Sequence, residues 1–251
     1  MRIIAVVNQK GGVGKTTITA NLGHALQIAG NRVMLIDMDP QAQLTTSLGI
    51  FRLPTKGIDS VLLDQASLKA IEIHTRESLV LVPAGSRLME VEHLNDGGVS
   101  RAALLDLALQ QEKPNQDYVL LDCPPASGLL SANAIMAADE VLIPVSGDYL
   151  SLNGVAHLLA TLKKFDALRT KSLQQWVVMS RFHVRRRLSG EVRIKLLKHF
   201  SSKVLKTEIR EAAALAECPA VGRTIFEFRR SSNSAKSFMQ LAHDLIERRT
   251  Y

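Results

Sequence analysis

Cysteine and aromatic residues are scarce in this chain, and long apolar runs are missing from it. Cys123 and Cys218 are the only cysteines among 251 residues, and no Cys-x-x-Cys pair occurs, which argues against a metal or redox centre. Aromatic residues make up 4% of the chain, so the core has to be built from aliphatic side chains. No run approaches the ~18 apolar residues of a membrane span, and the apolar start is too short for a signal peptide. We therefore expect a soluble cytoplasmic protein with reduced thiols.

The positive charge is concentrated at one end of the chain. The formal net charge is +7, yet residues 171–251 contain 17 basic and 7 acidic residues, whereas the preceding residues contain 14 and 17. A basic excess that is confined to the last third favours one basic surface over diffuse charge. Such a surface is typical of proteins that bind polyanions.

Short β-branched apolar runs alternate with longer segments of helical periodicity, and no internal repeat or low-complexity linker interrupts them. Continuous apolar strands separated by helices predict an α/β fold with a doubly wound, mostly parallel sheet and helices on both faces. We expect residues 1–251 to form a single domain, with an exposed loop at 184–187. The predicted strands are 3–7, 32–36, 79–82, 118–121, 141–145 and 176–179, and the predicted helices are 16–29, 86–95, 100–111, 128–137, 151–166, 189–200 and 235–249.

Segment 10–17 has the sequence Lys-Gly-Gly-Val-Gly-Lys-Thr-Thr and lies between the first predicted strand and the first predicted helix. Its glycines permit tight turns that aim backbone N–H groups at phosphate oxygens, and the helix N-terminus adds a favourable field. In such a loop Lys15 neutralises the β- and γ-phosphates, and the Thr16 hydroxyl coordinates Mg²⁺. We predict that the chain uses ATP, with Mg²⁺, as a hydrolysable switch. The predicted nucleotide-binding residues are Lys10, Gly11, Gly12, Val13, Gly14, Lys15, Thr16 and Thr17.

Three aspartates follow predicted strands. Asp37 and Asp39 come after the second strand, and Asp122 closes the strand at 118–121. Ligands of doubly wound sheets bind at the carboxyl ends of the strands. A single aspartate at such a place is commonly a helix cap or a turn former, whereas three beside a phosphate loop favour a catalytic and metal-binding role.

These segments resemble the ParA/MinD branch of P-loop ATPases, and within it the ParA/Soj family, whose deviant Walker A motif is Lys-Gly-Gly-x-Gly-Lys-Thr. The common P-loop pattern has a glycine where this chain has Gln9, and the second lysine, Lys10, belongs to the deviant motif. Segment 37–41 is similar to the family's switch I and segment 121–125 to its Walker B motif. Segments 138–145, 215–217 and 222–227 are similar to further family signatures, so the resemblance spans nearly the whole chain.

The resemblance implies a role for each matching residue. Lys10 would reach across an ATP-sandwich homodimer to the partner's nucleotide, Asp39 would position the attacking water, and Asp37 would support the Mg²⁺ side. Asp122 would hold Mg²⁺ through water. The family implies an ATPase that is weak alone and is stimulated by a ParB-like adaptor. Its cargo would be a plasmid, a chromosome origin or a protein assembly such as a carboxysome or a chemoreceptor cluster.

Relatives in this family bind DNA non-specifically in their ATP state through basic residues near the end of the chain. Contacts to phosphate need no sequence readout and weaken steeply with salt. We therefore expect a nucleoid-associated protein without operator specificity. The predicted DNA-binding residues are Arg185, Arg186, Arg187, Arg223, Arg229, Arg230 and Lys236, of which Arg223, Arg229 and Arg230 are expected on a short loop before the last helix.

Two departures from the family pattern leave alternatives open. Arg210-Glu211-Ala212 stands where many relatives have Pro-Arg-Asn, which helps to frame the adenine, and Phe182-His183 replaces the usual Tyr-Asp. A MinD-like membrane-cycling protein would need a basic amphipathic tail, and we interpret the apolar stripe of the last helix as core packing, so no membrane contact is expected. An iron–sulfur carrier or reductase is opposed by the cysteine spacing. A generic P-loop kinase would give Lys10 no role.

Overall fold

The computed structural model describes residues 1–94, 98–125, 128–169, 171–183 and 186–251. Within them, seven strands form one sheet in the order β3-β4-β2-β5-β1-β6-β7. Every neighbouring pair is parallel except β3 with β4. This topology confirms the expected doubly wound, mostly parallel α/β fold. The strands are β1 (Arg2–Val6), β2 (Val33–Asp37), β3 (Ile73–Arg76), β4 (Leu79–Val82), β5 (Tyr118–Asp122), β6 (Glu140–Ser146) and β7 (Gln174–Ser180).

Helices cover both faces of the sheet. Because successive strand residues point to opposite faces, β1 sends Ile3 and Ala5 into one apolar core and Ile4 and Val6 into the other. The described helices are α1 (Lys15–Ile28), α2 (Gln43–Ser47), α3 (Ile58–Asp64), α4 (Leu68–Ile71), α5 (Leu88–Glu92), α6 (Gly98–Ala102), α7 (Leu104–Glu112), α8 (Leu129–Ala137), α9 (Tyr149–Asp166), α10 (Arg187–Phe200), α11 (Ala213–Glu217), α12 (Ile225–Phe228) and α13 (Asn233–Glu247).

The apolar stripe of the last helix lies in the core. Phe238, Leu241 and Leu245 of α13 are fully buried and belong to the same apolar cluster as Leu22 and Leu26 of α1. The interpretation of this stripe as core packing therefore agrees with the structure. Among the described residues, no helix has both the length and the apolar character that crossing a membrane requires.

The prediction of one continuous helix at 100–111 is wrong. The structure has two helices there, α6 and α7, with a break at Ala103. Asn133 of α8 explains how the break is tolerated. Its side-chain amide donates to Arg101 O at 2.8 Å, and its side-chain oxygen accepts from Leu105 N at 3.1 Å. These two bonds satisfy backbone groups that a continuous helix would have paired internally.

Other differences concern segments with weak apolar periodicity. β3 was not expected, because the edge strand Ile73–Arg76 carries polar side chains and is nowhere fully buried. The short helices α3 and α4 were not expected either. The loop expected at 184–187 is shorter at its end, because α10 already begins at Arg187; residues 184 and 185 lie outside the described part of the chain.

The sheet brings three strand ends together. β1 lies between β5 and β6, and β5 lies between β1 and β2. In the strand register Asp122 is level with both Val6 and Asp37. The loop that follows β1 therefore lies beside the aspartates at the ends of β2 and β5.

Candidate functional site

The loop between β1 and α1 is held by contacts at both ends. Gly12 and Gly14 have φ angles of 73° and 90°, a region that favours glycine, and Gly14 caps α1. The Asn8 side chain accepts from Lys10 N at 2.9 Å and donates to Pro144 O at 2.7 Å. On the other side, the Ser180 hydroxyl donates to Val13 O at 2.8 Å. These contacts with residues of β6 and β7 therefore fix the shape of the loop.

A pocket of about 430 Å³ opens over this loop. Six of the eight residues predicted to bind the nucleotide line the pocket. The two exceptions are Val13, which is buried beneath the loop, and Lys10, whose side chain lies outside the pocket. The pocket is lined by Gly11, Gly12, Gly14, Lys15, Thr16, Thr17, Ile18, Asp39, Gln41, Gln43, Pro125, Ser180, Arg181, Ile209, Arg210, Glu211, Ala212, Leu215 and Ala216.

Lys15 begins α1 and is only 7% exposed. Burial lowers the pKa of its ammonium group, and the nearby carboxylates of Asp122 and Asp39 partly offset that effect. A buried lysine at a helix N-terminus provides a strong positive field because little water screens it. This is the field that a bound polyphosphate would meet.

Asp122 is fully buried and does not line the pocket, and one of its carboxylate oxygens is unpartnered in the described part of the chain. Its Oδ1 accepts from Thr19 Oγ1 at 3.2 Å, whereas its buried Oδ2 has no hydrogen-bond partner among the described residues. Burial and the charges of Asp37 and Asp39 raise the pKa of Asp122. A divalent cation near the Thr16 and Asp122 side chains would relieve this cost, so the residues fit Mg²⁺.

Asp37 is turned away from the pocket. Its Oδ2 accepts from the Thr45 backbone at 2.8 Å and from the Thr45 hydroxyl at 2.6 Å. Burial raises the pKa of Asp37, and these hydrogen bonds lower it. The observed role of Asp37 is therefore to hold the start of α2 against the end of β2. A direct metal contact by Asp37 stays a prediction.

Asp39 lines the pocket, as its predicted role requires. Its Oδ1 accepts from Gln41 N at 2.9 Å, and its backbone oxygen accepts from Ala42 N at 2.8 Å, so a tight turn fixes the carboxylate. Gln41 and Gln43 line the same wall and were not singled out from the sequence. Among the described residues, no group of three or more His, Cys, Asp or Glu side chains could hold a metal ion by itself.

The opposite wall contains the residues that depart from the family pattern. Arg210, Glu211 and Ala212 line it, together with Arg181 at the end of β7. Arg181 Nη1 donates to Gly12 O at 2.6 Å, and Arg181 Nη2 donates to Glu211 Oε1 at 2.6 Å. Both Arg181 and His183 contact the Glu211 carboxylate and lower its pKa. Sequence reasoning did not find Arg181, because no motif contains it.

The residues predicted to bind DNA do not form one cluster. Arg186 precedes α10, and Arg187 pairs with Glu191 on the exposed face of that helix. Lys236 lines a cleft of about 760 Å³ with Arg193, Lys206 and Arg210. Arg185 lies outside the described residues.

The expectation of one short loop for Arg223, Arg229 and Arg230 is wrong. α12 separates Arg223 from the other two, because Thr224 and Glu227 form a capping box that starts a helical turn between them. Arg230 and Lys236 line a second groove beside α1. The basic residues thus surround α12 and the start of α13.

Fold and site together define a P-loop nucleotide-binding protein: a phosphate loop after the first strand, with acidic residues at the ends of two neighbouring strands. A family model described as an AAA domain matches residues 1–175. The chain is 37% identical over 247 residues to the sporulation initiation inhibitor protein Soj of Bacillus subtilis, and the match covers 97% of this chain and 98% of Soj. It is 34% identical to the chromosome partitioning protein ParA of Caulobacter vibrioides, over 99% of this chain and 95% of that protein.

A similar solved structure is that of cobyrinic acid a,c-diamide synthase from Mycobacterium smegmatis with bound ADP and magnesium. It shares 29% identity with a TM-score of 0.83, and the match covers 100% of this chain and 99% of that one. The chain therefore belongs to the ParA/Soj family of P-loop ATPases.

Proposed function

We propose that this chain is an ATPase that dimerises around ATP, binds DNA non-specifically as the dimer and positions a cargo. The observation that carries the proposal is the place of Lys10. Its side chain lies outside its own pocket, beside the loop, and is 36% exposed. A second chain facing the loop would bring its own Lys10 to this nucleotide, which would make ATP binding and dimerisation one linked event.

The proposed hydrolysis depends on position and charge. ATP would lie along the loop with its phosphates toward Lys15 and the start of α1, and Mg²⁺ would be held near Thr16 and Asp122. Asp39, fixed in its turn at the pocket wall, would orient the attacking water. Bound Mg²⁺ supplies charge neutralisation at the phosphates, the main requirement of phosphoryl transfer. The intrinsic rate is expected to be low until an adaptor of the ParB type completes the site.

The proposed DNA surface is formed by the basic residues around α12 and α13. Arg223 and Arg230 flank α12, and Lys236 lines both the cleft that contains Arg193 and Lys206 and the groove that contains Arg230. Cations distributed in this way suit a phosphate backbone better than a single compact anion. The cargo would be a plasmid, a chromosome origin or a protein assembly, and the DNA-bound dimer would be nucleoid-associated.

The test measures binding to a fluorescent duplex at low salt with ATP, a non-hydrolysable ATP analogue or ADP, each with Mg²⁺. We expect binding with ATP and the analogue, loss with ADP, and loss in Lys10→Ala in every state. The Arg223→Ala/Arg229→Ala/Arg230→Ala variant is expected to weaken binding with a smaller salt dependence. The matched control removes three exposed lysines at the opposite ends of the strands and helices, Lys69, Lys113 and Lys171, and is expected to bind as the wild type does.

The same proteins distinguish the membrane-cycling alternative. The apolar residues Phe238, Leu241 and Leu245 of α13 are buried in the same cluster as residues of α1, so ATP should not recruit the chain to anionic liposomes. Co-sedimentation with liposomes in ATP, together with equal DNA binding in ATP and ADP, would overturn the proposal. A pull-down with Asp39→Ala, which is expected to trap the ATP dimer, would identify the adaptor or cargo.

A further inference from the structure

Arg181 reaches across the mouth of the nucleotide pocket. It follows β7 directly and has a φ angle of 49°, a left-handed backbone conformation that a non-glycine residue seldom adopts. Such conformations cost about 1–3 kcal/mol and tend to occur where the surrounding structure or a function requires them. Here the conformation accompanies a side chain that contacts the phosphate loop.

Two hydrogen bonds hold the guanidinium group of Arg181. Nη1 donates to Gly12 O at 2.6 Å, and Nη2 donates to Glu211 Oε1 at 2.6 Å, so the side chain joins the loop to the opposite wall. Gly12 itself has a φ angle of 73°, a backbone conformation that favours glycine, so the loop turns at the residue whose carbonyl oxygen Arg181 contacts. The Arg181 side chain remains 51% exposed and lines the pocket.

The order of the strands decides which part of a nucleotide Arg181 would meet. β2 and β5, which carry Asp37 and Asp122, lie on one side of β1, and β7 lies on the other. The metal and the γ-phosphate belong on the side of the carboxylates. Arg181 therefore lies toward the base end of the loop, beside the phosphates that ADP and ATP share.

We propose that Arg181 is a second cation of the phosphate loop, which binds the α- and β-phosphates, and that Glu211 positions it. This inference rests on the proposed nucleotide switch and adds a residue to its site. A guanidinium group has five N–H donors in a planar fork. It can therefore keep its bond to Glu211 while the remaining donors turn to phosphate oxygens, and Gly12 O is released from Nη1 in the bound state.

The three cations around the phosphates would then have different roles. Lys15 is buried and acts on both nucleotides, Lys10 acts between chains on the ATP state, and Arg181 acts within one chain on ADP and ATP alike. Removing Arg181 should therefore lower the affinity for ADP and the affinity for ATP by the same factor, so that their ratio stays unchanged.

The experiment is calorimetric titration of the full chain with ADP and with a non-hydrolysable ATP analogue, each with Mg²⁺. Arg181→Met, which keeps the aliphatic stem, is expected to raise both dissociation constants about 10- to 100-fold, the usual effect of losing hydrogen bonds to a charged group. Arg181→Lys should recover part of that loss, because it restores the charge without the fork. Glu211→Ala should weaken binding severalfold in the wild type and have no further effect in Arg181→Met.

The outcomes separate this inference from the proposed function. If the wild type fails to bind ADP, the nucleotide switch itself is wrong. If the wild type binds, Lys15→Ala abolishes binding, and Arg181→Met binds as tightly as the wild type or more tightly, then only the role of Arg181 is overturned. An unchanged thermal unfolding curve for Arg181→Met shows that any loss of affinity arises at the site.

Discussion

Lys10 Nζ and Asp148 Oδ1 lie 2.5 Å apart, so the lysine at the entrance of the phosphate loop is ion-paired within its own chain. The Ser146 hydroxyl donates to the other carboxylate oxygen of Asp148 at 2.7 Å, which orients the aspartate toward the loop. For Lys10 to reach a partner's nucleotide, this ion pair has to open. In the proposed dimer, the pair would therefore have to break, and it would oppose dimerisation.

Asp148→Asn is expected to promote dimerisation. The side chains of the pair are 36% and 40% exposed, and ion pairs of that exposure contribute about 0.2–1 kcal/mol. Because each chain of the dimer opens one such pair, we expect the ATP-dependent dimer to form at about 2- to 30-fold lower protein concentration, as measured by sedimentation velocity. Asparagine keeps the shape of the side chain. Lys10→Ala/Asp148→Asn should stay monomeric, and a gain of dimer in that double variant would contradict the explanation.

Asp122→Asn is expected to stabilise the free chain while it abolishes hydrolysis. The substitution removes one of two neighbouring buried negative charges, and the amide oxygen can still accept from Thr19. Without Mg²⁺ and nucleotide we expect the free energy of unfolding to rise by about 1–3 kcal/mol. Mg²⁺ with ADP should raise the melting temperature of the wild type and raise that of the variant much less. Equal stabilisation of both proteins would argue against a metal contact at Asp122.

The sequence predicted the parts of this site that depend on one strand and the turn after it. The loop at 10–17 and the aspartates at 37, 39 and 122 were found because each follows a buried apolar run. Ion pairs and hydrogen bonds between distant segments were not found. Lys10 and Asp148 are 138 positions apart, and Arg181 and Gly12 are 169 apart. Only the tertiary packing brings such residues together, and no local pattern indicates it.

His24 should make the stability depend on pH. Its ring lies between α1 and α12, with Nδ1 2.6 Å from the Thr224 hydroxyl. Burial, followed by the smaller effect of Arg76, lowers the pKa of His24 to about 4, against the raising effect of Glu227. The unfolded chain thus binds a proton below about pH 6.5 that the folded chain does not bind until about pH 4.

Stability from His24 is therefore fully present above pH 6.5 and is lost as the pH falls toward 4, by about 3 kcal/mol. Denaturant unfolding from pH 7.5 to 4.5 should show this loss in the wild type and a smaller loss in His24→Gln. His199→Gln, at an exposed position of α10, is the matched control and should follow the wild type. Identical curves for all three proteins would exclude His24 as the source.

Arg76 joins the end of α2 to the loop before α12, which contains Arg223. Its guanidinium group contacts both carboxylate oxygens of Glu227, at 3.1 and 2.8 Å, and it donates to Leu48 O at 3.4 Å and Gly222 O at 3.3 Å. Leu48 follows α2, which Asp37 anchors through Thr45. A shift of α2 in the ATP state would therefore move Arg76 and, through its hydrogen bonds, the loop that carries Arg223.

Arg76→Met is expected to weaken ATP-dependent DNA binding about three- to tenfold while ADP affinity stays unchanged. It should also lower the free energy of unfolding by about 1–3 kcal/mol, because it breaks a largely buried ion pair. Arg32→Met is the matched control. Arg32 pairs with Asp117 at an exposed position, so its loss should change stability by less than about 1 kcal/mol and leave DNA binding unaffected. Equal effects of both substitutions would remove the assigned role of Arg76.

The same limit on sequence reasoning applies to the fold. The strands were predicted because their residues are apolar on both faces. The edge strand β3, whose residues include His74 and Arg76, was not predicted, because it has only one neighbouring strand and is not deeply buried. The break between α6 and α7 depends on Asn133, which belongs to another helix. In each case the missing information lies in a partner that the local sequence does not contain.

The central claim is that ATP pairs two chains and that only the pair binds DNA. Sedimentation velocity with a short fluorescent duplex tests it, with ATP or ADP and Mg²⁺, on Asp39→Ala and on Asp39→Ala/Lys10→Ala. We predict that in ATP the duplex sediments with dimers of Asp39→Ala, and that it sediments free in ADP and with the double variant. Duplex that sediments with the protein equally in ATP and ADP, or with monomers of the double variant, would contradict the account.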